Sequence, residues 1–147
     1  SRHIALIPRL LSEAARLEAA VGRIGLVFGH NDLLPANFLH DGHRMWLIDW
    51  DYGGFGSPLF DLGGLAANAG LSEAQERRVL ATYFAREVDG DLWRRYLAMK
   101  AAAALREAMW SMVQEIHSTL DFDYATYTAD YLATYRAALA AFEDFHD

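Results

Sequence analysis

Three side chains able to bind a metal ion and a hydroxyl group lie close together early in the sequence. Asp32, Asn37 and Asp49 fall within GHNDLLPANFLHDGHRMWLIDWD, residues 29–51. Carboxylate and amide oxygens, few in number, suit a Mg²⁺ ion that is shared with a nucleotide. A further carboxylate beside that ion can accept a hydrogen bond from a hydroxyl group and direct its oxygen at phosphorus.

A short β-hairpin is predicted to bring Asn37 and Asp49 together. Phe38 to His40 and Met45 to Ile48 have the pattern of two strands, and the Asp41-Gly42 pair between them favours a tight turn. Asn37 precedes the first strand and Asp49 follows the second. Because antiparallel strands return the chain to its starting point, the amide and the carboxylate are expected at one end of the hairpin.

The order of these groups resembles a kinase catalytic loop. His30-x-Asp32-x-x-x-x-Asn37 has the spacing of H-R-D-x-x-x-x-N, and Asp49 stands where the metal-binding Asp of D-F-G stands. The first motif alone occurs by chance, whereas the ordered combination is more specific. In such a layout His30 is expected to hold the loop through backbone hydrogen bonds, and Asp61 to act as a cap or loop anchor.

The rest of the chain has helical periodicity. A first helix is predicted from an apolar stripe that comprises Ile4, Ile7, Leu11, Ala14, Leu17 and Val21. Pro8 opens or kinks this helix, and Gly22 ends it. Later helices are predicted over Pro58–Ala69, Ser72–Glu87, Asp91–His117 and Asp123–Phe142. Ser72 and Gln75 form a capping box. Leu26–Phe28 is a candidate strand and YGGFGSP a loop.

These elements predict a single α+β, mostly α domain over residues 1–147, a helical bundle with a small β-hairpin that carries the catalytic loop. Its 147 residues are 53% hydrophobic and contain no cysteine, which excludes disulfides and is compatible with a cytoplasmic location. The net charge of −7 argues against a nucleic-acid partner. No membrane span is expected, because no sufficiently long apolar run occurs.

Two blocks closely resemble the choline/ethanolamine kinases, which belong to a protein-kinase-like group that includes the aminoglycoside phosphotransferases. The first block consists of two nearby segments, HNDLLPANFL and LIDWDYGGFGSPLFDLGGLAAN. The second block is MWSMVQEIHSTLDFDYATYTADYLATY. The similarity extends from about Val27 to Tyr135. Asn31 stands where aminoglycoside enzymes usually have glycine, which favours the choline kinase side.

The resemblance implies transfer of phosphate from ATP, with Mg²⁺, to the hydroxyl of choline or ethanolamine. Asp32 would be the catalytic base or hydroxyl-orienting residue and would contact the substrate. Asn37 and Asp49 would bind Mg²⁺, and Trp110 would form an aromatic wall around the ammonium group.

Two departures concern the substrate. Glu107 stands where many choline kinases have an aromatic residue, and Asp51 replaces the usual Glu of D-x-E-Y. Both are therefore predicted substrate-site residues, and they favour ethanolamine or another amino alcohol.

The sequence resembles only the C-terminal lobe of such enzymes. Neither a glycine-rich loop nor a strand lysine paired with a helix glutamate precedes Gly29, and Lys100, the sole lysine, lies on a late helix. We therefore expect the N-terminal nucleotide-clamping lobe to be absent from the chain and the chain alone to be inactive. Self-association through the uncovered lobe face is also expected.

The helix around Trp110 allows two interpretations. Its core face is predicted to comprise Ala101, Leu105, Ala108, Met112 and Ile116, whereas Trp110 shares the opposite face with Ala103, Glu107, Gln114 and His117. Trp110 either packs on the last helix or forms a cation–π wall, worth about 2 kcal/mol when desolvated. The last helix has a stripe expected to be core or lobe interface, with one or two tyrosines facing the pocket: Tyr124, Tyr127, Tyr131, Tyr135, Ala138 and Phe142.

Three other functions compete with the amino alcohol kinase. An aminoglycoside or sugar-alcohol phosphotransferase would keep the chemistry and change the substrate. LIDWD also matches the strand and D-x-D of haloacid-dehalogenase-like phosphatases, which use a parallel α/β sheet. A non-catalytic kinase-like binding module would retain only the fold.

Overall fold

The computed structural model describes residues 2–146, and in that range the chain forms five α-helices and four short strands. The helices are α1 (Ile7–Val21), α2 (Pro58–Ala69), α3 (Glu73–Phe84), α4 (Gly90–His117) and α5 (Tyr124–Asp144). The strands are β1 (Val27–Gly29), β2 (Phe38–His40), β3 (Met45–Leu47) and β4 (Gly54–Gly56). Short 3-10 turns lie at Ile4–Leu6 and Pro35–Asn37. The predicted mostly α, α+β class is confirmed.

The predicted hairpin forms from β2 and β3. Phe38 pairs with Leu47 and His40 with Met45 in an antiparallel register. In the turn, the Asp41 carboxylate accepts the backbone N–H groups of residues 43 and 44, at 2.9 and 2.8 Å. Because β3 lies in this two-stranded antiparallel sheet, the phosphatase alternative, which needs a parallel sheet, is wrong.

A second antiparallel pair was not predicted. The segment YGGFGSP was expected to be a loop, but it contains β4, which pairs with β1 so that Phe28 lies opposite Phe55. The glycines of β4 give no alternating side-chain pattern, so only Phe55 contributes a side chain, which packs on Phe28 of β1 with ring centroids 5.6 Å apart. The two strand pairs enclose the catalytic loop, since β1 leads into it and β2 leaves it.

Helix α4 is the centre of the molecule and packs against α1, α2 and α5. Four of its five predicted core residues are buried, namely Ala101, Leu105, Ala108 and Met112, but Ile116 is 56% exposed. Polar groups make the inward contacts near this end of α4 instead. The buried hydroxyls of Ser111 and Thr128 lie 2.6 Å apart, and Glu115 pairs with His3 at 3.0 Å.

Helices α2 and α4 approach each other closely at Gly63. A Cβ atom at this position would lie 2.8 Å from the Lys100 Cα, so any larger residue would force the helices apart. This contact matters for the site, because α2 carries Asp61 and α4 carries Arg106 and Glu107.

The predicted buried face of α1 is only partly correct. Helix α1 has Pro8 in its first turn and is followed by Gly22 at φ 63°, both as predicted. Its buried residues are Leu10, Glu13, Leu17 and Val21, whereas Ile4, Ile7 and Leu11 are exposed. Glu13 can be buried on this face because its carboxylate accepts hydrogen bonds from the Tyr135 hydroxyl at 2.6 Å and from Arg9 Nε at 2.7 Å.

The remaining helix ends agree closely with the sequence pattern. Ser72 and Gln75 form the predicted capping box at the start of α3. That helix ends at Phe84, earlier than the predicted Glu87, because Ala85 adopts a left-handed conformation. Within residues 2–146, no helix is both long and apolar enough to cross a membrane.

Candidate active site

The catalytic loop follows β1 and is anchored by Asp61 in the first turn of α2. The Asp61 carboxylate accepts the backbone N–H of His30 with Oδ2 and that of Asn31 with Oδ1, both at 2.7 Å. A Cβ atom on Gly29 would lie 2.7 Å from Oδ2. Glycine at that position therefore leaves room for the carboxylate to reach both amides, and Asp61 makes the contacts expected of a loop anchor.

Asn31 joins the catalytic loop to the segment after β3. It has a φ of 62°, a left-handed conformation that glycine and asparagine adopt most readily. Its side-chain amide donates to the carbonyls of Tyr52 at 3.0 Å and Gly54 at 3.3 Å. Glycine at this position could adopt the same φ but could not make this cross-link.

His30 connects the catalytic loop to the residue that follows β3. Its side chain is buried at 2% exposure; Nδ1 accepts the Asp32 backbone N–H at 3.3 Å, and Nε2 lies 2.8 Å from the Ile48 carbonyl. Since Nδ1 is the acceptor, Nε2 carries the hydrogen in this arrangement. The imidazole thus uses both nitrogens in backbone contacts, as expected for a supporting residue.

Asn37 and Asp49 are joined through the residue between β3 and Asp49. The Ile48 N–H donates to the Asn37 carbonyl at 3.0 Å, and the buried Asn37 side chain donates through Nδ2 to the Asp32 carbonyl at 3.0 Å. The Asn37 Oδ1 oxygen makes none of these hydrogen bonds and could therefore bind a metal ion. Asp49 is exposed and has a φ of 62°, a conformation that is often found in active sites.

These two residues fit a Mg²⁺ ion that takes its other ligands from water and phosphate. One amide oxygen and one carboxylate are hard oxygen ligands, and the exposed Asp49 leaves space for further ligands. The described residues contain no group of three or more His, Cys, Asp or Glu suited to a metal ion.

Asp32 and Glu107 line one cleft between the catalytic loop, α2 and α4. The cleft encloses only about 20 Å³, little more than the space of one water molecule, and Asn68 and Arg106 also line it. The side chains of Asp32 and Glu107 are only 18% and 13% exposed. Arg106 lies between them, with Nη1 2.7 Å from Glu107 Oε2 and 3.7 Å from Asp32 Oδ1.

Two tyrosines of α5 connect this cleft to the bundle. The Tyr127 hydroxyl donates to Glu107 at 2.9 Å, and the Tyr131 hydroxyl donates to Asn68 Oδ1 at 2.9 Å. Asn68 in turn donates to the Leu33 carbonyl of the catalytic loop at 3.1 Å. Burial raises the pKa of both tyrosines, and Glu107 raises each further. Both hydroxyls therefore remain protonated donors at neutral pH.

Trp110 lies at the edge of an aromatic cluster and does not line the Asp32 cleft. Its ring contacts Tyr124 and Tyr127 edge to face, with centroids 6.1 and 6.3 Å apart. The half-exposed Phe122 contacts the same two tyrosines, at 4.8 and 5.7 Å. The prediction that Trp110 packs against the last helix is confirmed, and three further rings extend its surface.

The face of α4 that carries Trp110 is less exposed than its sequence indicated. Ala103 is buried, and Glu107 is held by Tyr127, because α2 and α5 cover this side of the helix. On α5, Tyr135, Ala138 and Phe142 are buried as expected, whereas Tyr124, Tyr127 and Tyr131 are partly exposed. Of these, Tyr127 and Tyr131 reach groups that line the cleft.

Asp51 lies outside this arrangement. It is exposed in the turn after β3, which the Gly53 N–H closes on the Trp50 carbonyl at 2.8 Å. It does not line the Asp32 cleft. Its neighbour Tyr52 approaches the site instead, with its ring centroid 5.4 Å from the Arg106 guanidinium carbon.

Sequence reasoning therefore missed three residues at the site: Arg106, Asn68 and Phe122. Arg106 adjoins Glu107 in the sequence, which was the available signal, but its contact with Asp32 spans 74 residues. Asn68 ended a recognised block, LFDLGGLAAN, without a role being evident. Their significance depends on how α2, α4 and α5 pack.

The sequence and the fold are both similar to known phosphotransferases. The profile of the phosphotransferase enzyme family matches residues 3–99. Ethanolamine kinase 2 of Rattus norvegicus is 32% identical over 126 residues, covering 69% of this chain and 32% of the rat protein.

Solved structures extend the similarity over nearly the whole chain. The choline/ethanolamine kinase family protein from Mesorhizobium loti has a TM-score of 0.81 and 28% identity, covering 94% of this chain and 51% of its own. Choline kinase LicA from Streptococcus pneumoniae has a TM-score of 0.74 and 21% identity, covering 92% and 48%. A LicA structure in complex with AMP has the same fold, with a TM-score of 0.71.

The chain is shorter than these relatives. It spans about a third of the rat enzyme and about half of the two solved chains. The family profile covers more than half of the residues of this chain. Both fold neighbours are choline or ethanolamine kinases by name. The chain therefore belongs to the phosphotransferase enzyme family and has the protein-kinase-like fold of choline and ethanolamine kinases.

Proposed function

We propose that the protein containing this chain transfers the γ-phosphoryl group of ATP to the hydroxyl of a small amino alcohol, ethanolamine or choline. The observation that carries this proposal is the shared cleft of Asp32 and Glu107. One carboxylate belongs to the catalytic loop and can accept a hydroxyl hydrogen, and the other can attract an ammonium group. The named activities of the relatives support the same substrate class.

Asp32 acts on the substrate hydroxyl in this proposal. Its carboxylate accepts the hydroxyl hydrogen bond and aims the oxygen at the γ-phosphorus. The oxygen–phosphorus bond forms as the bond from the γ-phosphorus to the bridging oxygen of ADP breaks, and the hydroxyl proton passes to Asp32 or to the phosphate product. His30 and Asn37 keep Asp32 in position, because both bond to its backbone.

Asn37 and Asp49 would hold Mg²⁺ through Oδ1 and a carboxylate oxygen. When bound, the ion neutralises the phosphate oxygens and orients them. The backbone bond between Ile48 and Asn37 supports this assignment, because it places both ligands at one end of the hairpin.

The ammonium group is proposed to bind between Glu107 and the aromatic cluster. Tyr127 links these two features, since its hydroxyl bonds Glu107 and its ring contacts Trp110. A cation above such rings gains about 2 kcal/mol or more when it is desolvated. This position is within reach of Asp32, because Glu107 lines the same cleft.

We also propose that the face around β1 and β4 packs on a nucleotide-clamping lobe. Aromatic side chains there are exposed, including Phe28 at 60% and Phe55 at 76%. Isolated soluble domains rarely expose such patches without a binding role. The same face would favour self-association of the 147 residues when they are produced alone.

The test measures ADP release by the complete gene product that contains this sequence, with ATP and Mg²⁺. The acceptors are ethanolamine, choline, a kanamycin-like aminoglycoside and ethylene glycol, which lacks the cation. We expect kcat/KM for ethanolamine or choline to exceed that for the other two acceptors by at least about 100-fold. Preference for the aminoglycoside would contradict the proposal and would favour an aminoglycoside phosphotransferase.

A binding experiment isolates the aromatic contribution. The complete gene product is titrated with choline while its tryptophan fluorescence is recorded, and the fluorescence change is expected to saturate. Trp110→Ala should weaken choline binding by about 30-fold, which corresponds to about 2 kcal/mol. The matched control is Trp46→Ala, which removes an exposed tryptophan from the hairpin and should leave the affinity unchanged. Equal losses in the two variants would contradict the aromatic site.

A further inference from the structure

Arg106 occupies the space between the two carboxylates of the candidate site. Its Nη1 atom is 2.7 Å from Glu107 Oε2 and 3.7 Å from Asp32 Oδ1. Its guanidinium carbon lies 5.4 Å from the Tyr52 ring centroid. The side chain is 35% exposed, so it fills the mouth of the cleft and can leave it without unfolding the helix.

The gap that Arg106 bridges can be spanned by a short amino alcohol in a bent conformation. Since one Nη1 atom contacts both oxygens, Asp32 Oδ1 and Glu107 Oε2 lie at most about 6.4 Å apart, the two contacts taken end to end. In a two-carbon amino alcohol the hydroxyl oxygen and the nitrogen are separated by three bonds of about 1.5 Å. With a hydrogen bond of about 2.8 Å at each end, a bent molecule joins the same two carboxylates.

We propose that Arg106 is an internal cation of the acceptor site, which the ammonium group of the substrate must displace. This rests on the proposed function, and it assigns Arg106 as a specificity-determining residue. Without Arg106 the cleft would present two uncompensated carboxylates, Asp32 and Glu107. With Arg106 in place, one positive charge already pairs with Glu107 at 2.7 Å and lies 3.7 Å from Asp32, so substrate binding exchanges one cation for another.

This exchange has a defined kinetic signature. Removal of the guanidinium should strengthen the binding of a cationic alcohol more than that of a neutral alcohol, because only the cationic alcohol supplies a positive charge in its place. Because Arg106 must leave the gap before transfer, its removal should change KM and not kcat. A lysine at the same position keeps a cation on a long side chain and should preserve most of the competition.

The experiment compares Arg106→Gln with the wild-type gene product and with two controls. Arg106→Lys retains the charge, and Arg78→Gln removes an exposed arginine from α3, outside the cleft. For each protein, KM and kcat are measured with ethanolamine and with ethylene glycol. Equilibrium affinity for ethanolamine is measured separately by calorimetry, without ATP.

We expect Arg106→Gln to lower both the KM and the Kd for ethanolamine by about twofold to fivefold, the range of a partly exposed ion pair. The kcat should stay within twofold. The Kd of Arg106→Lys should lie between those of wild type and Arg106→Gln, and Arg78→Gln should resemble wild type. An unchanged or raised Kd would overturn the proposal. A large fall in kcat at constant KM would also overturn it, because Arg106 would then contact the transferred phosphoryl group.

The two proposals fail in different ways. If wild type phosphorylates ethanolamine and Arg106→Gln binds it no more tightly, only the role of Arg106 is wrong. If ethanolamine is not phosphorylated but Arg106→Gln binds it more tightly than wild type, the cation exchange stands and the proposed reaction is wrong. If neither protein binds ethanolamine, both are wrong. Thermal unfolding of each variant verifies that the fold is intact.

Discussion

Replacing Gly29 by alanine tests the anchor of the catalytic loop. The new Cβ would lie 2.7 Å from Asp61 Oδ2, closer than the two atoms can approach, so the carboxylate must shift. Oδ2 is the acceptor for the His30 amide at 2.7 Å, and that hydrogen bond would be lost first. A hydrogen bond to a charged group contributes about 1.5–3 kcal/mol, which sets the expected local destabilisation.

Amide hydrogen exchange measures this loss where it occurs. Since about 1.4 kcal/mol corresponds to a tenfold change in an opening equilibrium, the amides of His30 and Asn31 should exchange roughly 10- to 100-fold faster in Gly29→Ala. The matched control is Gly25→Ala. A Cβ at that position meets nothing within 4 Å, so exchange at the two amides should be unchanged.

A double variant tests whether Gly29 acts through Asp61. Asp61→Asn alone removes one of the two acceptors and should produce a similar increase in exchange. If both changes break the same contact, Gly29→Ala combined with Asp61→Asn should cost clearly less than the sum of the single variants. Exchange in Gly29→Ala as slow as in Gly25→Ala would refute the anchoring role, and strict additivity would show that the two residues act separately.

Two further predictions concern support of the site and acid stability. Tyr131→Phe removes the hydroxyl that donates to Asn68 Oδ1 at 2.9 Å. The kcat should fall by about tenfold, and the free energy of unfolding should fall by about 1 kcal/mol. An unchanged kcat would contradict a positioning role for Tyr131. Burial would raise the pKa of Glu13, but hydrogen bonds from Tyr135 and Arg9 outweigh it and lower the pKa below its usual 4.5. This carboxylate therefore stabilises the fold above about pH 4.5, and the contribution is lost as the pH falls through the lower folded-state pKa. The stability advantage of wild type over Glu13→Gln should shrink in acid during urea titrations, whereas Glu18→Gln, at an exposed position of α1, should show no such trend.

The helices and the hairpin could be predicted because local signals agree with the packing. Pro58–Ala69 was correct at both ends: Ser57 caps α2, Pro58 occupies its first turn, and Gly70 ends it in a left-handed conformation. The Asp41-Gly42 turn set the register of β2 and β3. The H-x-D-x-x-x-x-N spacing indicated the loop between β1 and β2, because its residues lie within one short segment.

Contacts between distant elements could not be predicted in this way. The inward face of α1 depends on a buried Glu13 that Tyr135 satisfies from α5, and an apolar pattern does not reveal such a pair. Strand β4 is recognisable only through its pairing with β1. The position of Arg106 between Asp32 and Glu107 follows from the packing of α4 against the loop, and the closeness of α2 at Gly63 helps to set it.

The most direct test of the central claim is the kcat of Asp32→Asn in the complete gene product, measured as ATP-dependent phosphorylation of ethanolamine or choline. The change keeps the side chain's size and removes the carboxylate that receives the hydroxyl hydrogen bond. We predict that kcat falls by at least about 1,000-fold, while the thermal unfolding midpoint changes by only a few degrees. Turnover close to that of wild type would contradict the assignment of Asp32 and, with it, the proposed reaction at this cleft.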